Sequence, residues 1–166
     1  MQSKIKQSHW FDNQNIYVGL DVHKKQWTAS IYTEEFEHKT FTQPTKAEAL
    51  YSYLKRSFPG AHYHSAYEAG FCGYTPHRTL CELGIDNMVI NSADIPSSYK
   101  EKYVKTDRID SRKIARELRS GDLRGIHVFD PIHEELRTLS RIRFKLVRDQ
   151  RKCKNRIKSF LMYYSI

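Results

Sequence analysis

Residues 16–24, Ile-Tyr-Val-Gly-Leu-Asp-Val-His-Lys (IYVGLDVHK), decide how the rest of this 166-residue chain is read. The run is short, apolar and rich in β-formers, so it predicts a buried strand at 16–23. An aspartate inside such a strand is costly unless a partner or a cation meets its charge. Asp21 is therefore the residue to explain. Side-chain alternation puts it in phase with Tyr17 and Gly19, and puts His23 on the same face.

Working outward, QWTASIY (26–32) follows after a basic two-residue turn and predicts the second arm of a hairpin. Residues 36–41 alternate and form a third strand. Pro44-Thr45 opens a helix with Ala47, Leu50, Tyr51 and Leu54 on one face, stopped by Pro59-Gly60. A fourth strand spans 61–69, a helix 74–83 ends at Gly84, and a fifth strand spans 85–90. Residues 91–103 read as a loop, and 106–119 as a third helix. Three antiparallel strands, then helix, strand, helix, strand, helix is an RNase H-like order. The fold class is thus α/β: a mixed sheet of about five strands flanked by helices.

That order brings four carboxylates toward one point. Asp21 stands on the first, central strand, and Glu68 closes the fourth strand beside it, where sites in open α/β sheets lie. Asp107 and Asp110 share one helix face, about 5–6 Å apart at Cβ. Such a set suits two Mg²⁺ (or Mn²⁺) ions about 3.5–4 Å apart, because hard cations take oxygen ligands. Each acid also has a plainer reading. Asp107 and Asp110 fall in a first helical turn, where acids cap orphan N–H groups, and Glu68 precedes Ala-Gly as a turn residue would.

Composition points the same way. Lys+Arg number 28 against 19 Asp+Glu, a net +9 with a pI near 9.5. This suits a polyanionic partner, against the plainer reading of a merely soluble basic protein. The excess is uneven: residues 134–166 hold ten basic residues and three acids, a net +7, leaving +2 for the rest. GDLRG (121–125) is a turn and Asp130-Pro131 a helix start. Beyond it Leu136, Leu139, Ile142, Leu146, Cys153, Ile157 and Phe160 recur at three- and four-residue steps, predicting a long basic amphipathic helix. It is read as a solvated or coiled-coil helix, or as a scaffold along nucleic acid. Three cysteines without C-x-x-C spacing read as free thiols. The N-terminus lacks a signal-peptide core and no run is long enough to span a membrane, so the reading is cytoplasmic. The parts are a tail at 1–14, a catalytic domain at 15–126 and the helix at 127–166. The apolar end LMYYSI (161–166) has no helix stop, which leads to the expectation of a truncated chain or one that pairs through this end.

GLDVHK (19–24), YEAG (67–70) and KTDRIDSRKIARELRSGDL (105–123) together closely resemble the N-terminal RuvC-like domain of the DEDD transposases. These are insertion-sequence recombinases that include the Piv-type DNA invertases. The resemblance covers roughly 15–165, with the three motifs in the family's order. It implies that Asp21, Glu68, Asp107 and Asp110 bind the metal and are catalytic, in divalent-metal-dependent DNA strand cleavage and exchange at insertion-sequence ends. Lys105, Thr106, Arg108, Arg112 and Lys113 share the third motif. Its basic members, with Arg141, Arg148 and Arg151 of the long helix, are the candidate nucleic-acid contacts. The family also implies a C-terminal domain with a serine completing a composite site, circular DNA intermediates and a structured guide RNA. The implied partners are DNA, that RNA and a second copy through the C-terminal helix, in a prokaryotic cell and at the nucleoid when active. This chain alone is then a metal-competent half-site, inactive by itself.

Other classes stay open: a self-sufficient RuvC-type junction-resolving nuclease, and a non-catalytic nucleic-acid-binding or dimerisation module. An actin-like or sugar-kinase ATPase is disfavoured, since Val22-His23-Lys24 stands where a phosphate loop needs glycine and a small hydroxyl residue. His62 and His64 read as strand-face histidines, not zinc ligands. His23 reads as touching phosphate, or as a supporting or structural residue. Tyr99 and Tyr103 read as core or surface tyrosines, with base stacking as the sharper alternative. Ser111 reads as a helix residue and not a nucleophile.

Overall fold

The structure, a computed structural model, describes residues 11–95 and 107–166. Five strands form one sheet: β1 (Asn15–Val22), β2 (Trp27–Tyr32), β3 (Glu37–Gln43), β4 (His62–Glu68) and β5 (Asp86–Ile90). Their order is β3-β2-β1-β4-β5. β1 and β2, and β2 and β3, run antiparallel, while β1–β4 and β4–β5 run parallel. The hairpin between β1 and β2 is closed by the His23 N–H donating to the Gln26 carbonyl at 3.1 Å. β1 is central because both its neighbours need it: Ile16, Val18 and Leu20 are wholly buried on one face, and Gly19 is buried on the other.

Helices α1 (Ala47–Ser57), α2 (Thr75–Glu82) and α3 (Asp107–Ser120) cover the two faces. On one face Tyr53 of α1 meets Phe41 of β3, and Tyr51 meets Tyr63 of β4. On the same face His77 of α2 bonds Asn87 of β5 at 2.9 Å. Asn87 in turn donates to Ser65 of β4. α3 lies on the opposite face, with Ile114 packed in a cluster that includes Ala66, Ile90 and Leu123. α2 stops at Gly84, whose φ of +84° is left-handed backbone that glycine adopts without strain.

The expected RNase H-like mixed sheet is the observed one. Two details differ. α1 begins at Ala47 with Lys46 as an uncapped N-cap, rather than at Pro44-Thr45. A 3-10 turn at Ser92–Asp94 interrupts the expected loop, with the Asn91 side chain accepting from the Ala93 N–H. The rest of that loop, including Tyr99 and Tyr103, lies outside the described residues.

The chain divides into two compact units, Met1–His127 and Val128–Ile166. The second is built on α4 (Pro131–Tyr163), 33 residues long and without a buried residue. Its start is as the sequence predicts: Pro131 follows Asp130, whose carboxylate accepts from the His133 N–H at 2.9 Å. α4 runs to Tyr163, and Ser165 beyond it lies in left-handed backbone at φ +57°. Among the described residues, no helix is long and apolar enough to cross a membrane.

Candidate metal centre

The position of α3 decides the site. A Cβ built on Gly19 would fall 2.0 Å from the Ser111 carbonyl oxygen and 2.4 Å from the Ala115 nitrogen. Only glycine lets α3 approach β1 so closely, and that approach sets the first turn of α3 beside Asp21. A hydroxyl chain, buried at Ser111 and Ser30, fixes the contact: Ser111 Oγ lies 2.8 Å from Ser30 Oγ, which lies 2.8 Å from Thr40 Oγ1. Arg112 clamps the outer edge, its Nε 2.7 Å from Glu37 Oε1 and 3.1 Å from Thr40 Oγ1. Glu37 also accepts from the Tyr32 hydroxyl at 2.9 Å.

Asp21 is the second-last residue of β1. The β1–β4 register pairs Gly19 with Ala66 and Leu20 with Tyr67, so Glu68 continues the row in which Asp21 stands. Ala66 packs toward α3, and alternation therefore turns Glu68 to the α3 face as well. Asp107 and Asp110 occupy the first turn of α3, the former half-exposed and the latter half-buried. His23 bridges strand and helix. Its Nε2 is 3.1 Å from Asp21 Oδ2 and 3.3 Å from Asp107 Oδ1. Asp21, His23 and Asp107 each offer a ligand atom within 4.8 Å of the others, the one such group among the described residues.

The electrostatics agree with the geometry. Burial raises the Asp21 pKa above the ordinary aspartate value, His23 pulls it down, and Asp107 and Asp110 push it further up. For His23, desolvation acts downward, but Asp21 and Asp107 outweigh it and the pKa is raised. Carboxylates forced together at a sheet end repel one another, and a cation relieves that repulsion. These donors fit a divalent metal, with one imidazole nitrogen among carboxylate oxygens.

The other candidates fall out as follows. Arg108 is exposed beside Asp107, and Arg112 is exposed but engaged with Glu37. Lys113 is only 8 % exposed and lies on the buried strip with Ser111, Ile114 and Ala115. Lys105 and Thr106 lie outside the described residues. Arg141, Arg148 and Arg151 are exposed on α4. Ser111 is fully buried and hydrogen-bonded, in keeping with a structural role. His64 bonds Asp86 and Asn15 and stacks on Tyr17. His23 is the residue whose role the sequence left undecided. Its parity with Asp21 was legible, but its contact with Asp107 depends on how α3 docks.

A mixed sheet in this order, with acids on two central parallel strands and on the helix crossing their ends, is the RNase H-like arrangement. The DEDD transposase family model of the IS110 type, described as "Transposase", matches residues 18–166. The chain belongs to that family, the DEDD transposases of insertion sequences. It is 30 % identical over 152 residues to the transposase for insertion sequence element IS1533 of Leptospira borgpetersenii, covering 89 % of this chain and 43 % of the relative. Two Sinorhizobium fredii proteins that carry transposase names are similar too. One, y4qE, is 30 % identical over 156 residues, 91 % of this chain and 40 % of its own length. The other, y4rJ, is 29 % identical over 163 residues, 88 % and 41 %. The chain thus spans about two fifths of the length of these relatives.

Proposed function

We propose that this chain is the metal-binding half of a DNA strand-transfer centre, acting in cleavage and exchange at insertion-sequence ends. The observation that carries the reading is the convergence of Asp21, His23 and Asp107 within 4.8 Å. Glu68 and Asp110 stand in the adjoining strand row and helical turn. When bound, Mg²⁺ or Mn²⁺ supplies Lewis acidity toward the attacking and leaving oxygens of a phosphodiester. The chain's own part is to place and charge the site. β1 fixes Asp21, the Gly19 contact brings up Asp107 and Asp110, and β4 delivers Glu68. Arg108, exposed next to Asp107, steers the phosphate backbone toward the acids.

α4 supports a second copy as partner. Ile132, Leu136, Leu139, Leu146, Cys153, Ile157, Phe160 and Tyr164 fall on the a and d positions of one unbroken heptad frame, with Arg143 and Gln150 as its two polar members. Its other faces carry Arg141, Arg148 and Arg151 toward a polyanion. Family membership supports DNA as that polyanion and a structured RNA as guide in the longer proteins. We further infer that strand exchange needs more than this chain; efficient exchange by the chain alone would overturn that inference.

The test is Mn²⁺ binding, read by electron paramagnetic resonance of free ion. Wild-type chain is expected to bind Mn²⁺, and Asp21→Asn and Asp107→Asn to weaken binding tenfold or more, the order seen when a metal's ligand environment is disturbed. Unchanged affinity in both variants would sink the assignment.

A further inference from the structure

We infer that a cleft on the sheet face opposite α3 receives one unpaired nucleotide of the strand whose phosphate meets the carboxylates. The inference rests on the metal-centre reading for the second half of that statement only. The cleft, about 340 Å³, opens at the same sheet end as Asp21, between the β1–β2 hairpin, the start of α1 and the turn leading into α2. Its volume is in the range of small-ligand sites. Val22, Trp27 and Pro76 give it apolar walls. His23 lines it as well, and the same imidazole touches Asp21 and Asp107. A strand seated in the cleft therefore runs directly past the acids.

Phe71 marks the class of ligand. Its ring lines the cleft yet is 69 % exposed. The turn carrying it is anchored from below: the buried Tyr67 hydroxyl donates to the Gly73 carbonyl at 2.9 Å, and the Gly73 N–H donates to the Gly70 carbonyl at 3.2 Å. Burial holds the Tyr67 phenol far above its ordinary range, so it stays a donor. An aromatic face presented to water on a pinned turn is the platform on which an unpaired base stacks. Lys24 and Lys46, both exposed, stand on two sides of the opening, with Glu48 the one acid among the lining residues. Two cations against one anion favour a phosphodiester over a neutral ligand. A base pair does not fit this arrangement, because stacking on Phe71 requires a base withdrawn from its duplex.

The test is photo-cross-linking with octamers carrying one 5-iodouracil, in EDTA so that metal plays no part, with adducts mapped by mass spectrometry. DNA and RNA single strands and a DNA duplex form three arms. Adducts are expected at Phe71 from single strands, and whichever of the DNA or RNA arm labels it names the source. Phe71→Ala is expected to lower their yield about tenfold, the order of one lost stacking contact, and Lys46→Gln to lower it severalfold. Both side chains are exposed, so neither change touches the core. Adducts confined to α4, a duplex that labels the turn as well as single strands, or a yield indifferent to Phe71→Ala would each overturn the proposal. Asp21→Asn separates the two readings: it weakens Mn²⁺ binding about tenfold or more if the metal centre is right, and leaves the cross-link in place if the cleft is right.

Discussion

Asp21 carries opposed demands. Burial, Asp107 and Asp110 all raise its pKa, and His23 alone among the named influences on charge opposes them. A folded-state pKa above the unfolded one means that the stabilisation is present below the ordinary aspartate range and is lost as pH rises through the folded value. At neutral pH, metal-free Asp21 therefore costs stability. Asp21→Asn should raise the melting temperature of metal-free protein by about 2–4 °C, the shift that roughly 1 kcal/mol produces in a chain of this size, while weakening Mn²⁺ binding about tenfold or more. Differential scanning fluorimetry with and without Mn²⁺ reads both, and a lower metal-free melting temperature would contradict the argument. At this scale the sequence was readable wherever a residue conflicts with its surroundings, as a carboxylate within an apolar strand does. It was unreadable for His23, whose second partner comes from a distant helix. Charge alone does not give the burial of Lys113, which follows from the helix face that it shares with Ser111 and Ile114.

The contact of α3 with β1 is the element-scale determinant of the site. Gly19→Ala would drive a Cβ into backbone atoms of Ser111 and Ala115, neither of which can rotate away. α3 must then shift, carrying Asp107 and Asp110 from Asp21. The expected result is a loss of about 1–3 kcal/mol in chemical denaturation together with a loss of Mn²⁺ affinity. Wild-type stability in that variant would mean the helix has room the geometry denies it. At the start of α4, backbone and side-chain hydrogen bonds from His133 hold the Asp130 carboxyl below the ordinary aspartate range. Its capping contribution should therefore be complete above that range and fade only as pH falls through the lowered folded value. The His133 amide resonance, followed by NMR between neutral and acid pH, should keep its capped position through the ordinary aspartate range. Elements were legible where hydrophobic period and glycine or proline punctuation agreed, as at β1, β4 and α2. The 3-10 turn at Ser92–Asp94 was not, since three residues hold no period to read. α1 begins late because Lys46, not a capping hydroxyl, precedes its first turn.

For the whole molecule, strand order was legible because a hairpin followed by two strand–helix alternations leaves few unknotted topologies with parallel crossovers. The two units divide the charge unequally, and that asymmetry separates their tasks. Unit one gathers Asp21, His23 and Asp107 within 4.8 Å of one another. α4 spreads cations along solvent, with Leu136, Leu139, Ile142 and Leu146 exposed between them. If the heptad seam pairs two copies, Leu139→Asp with Leu146→Asp should convert a dimer to a monomer in light scattering, and leave Mn²⁺ binding intact. If the remaining faces lie along nucleic acid, each of Arg141, Arg148 and Arg151 that meets a phosphate releases counterions on binding. Changing all three to Gln should then make the slope of log affinity against log salt shallower by about 2–3, while weakening binding similarly across duplex sequences, since phosphate contacts carry no sequence information. An unchanged slope, measured by fluorescence anisotropy over a salt series, would assign the basic face of α4 to the solvent and leave the polyanion to unit one.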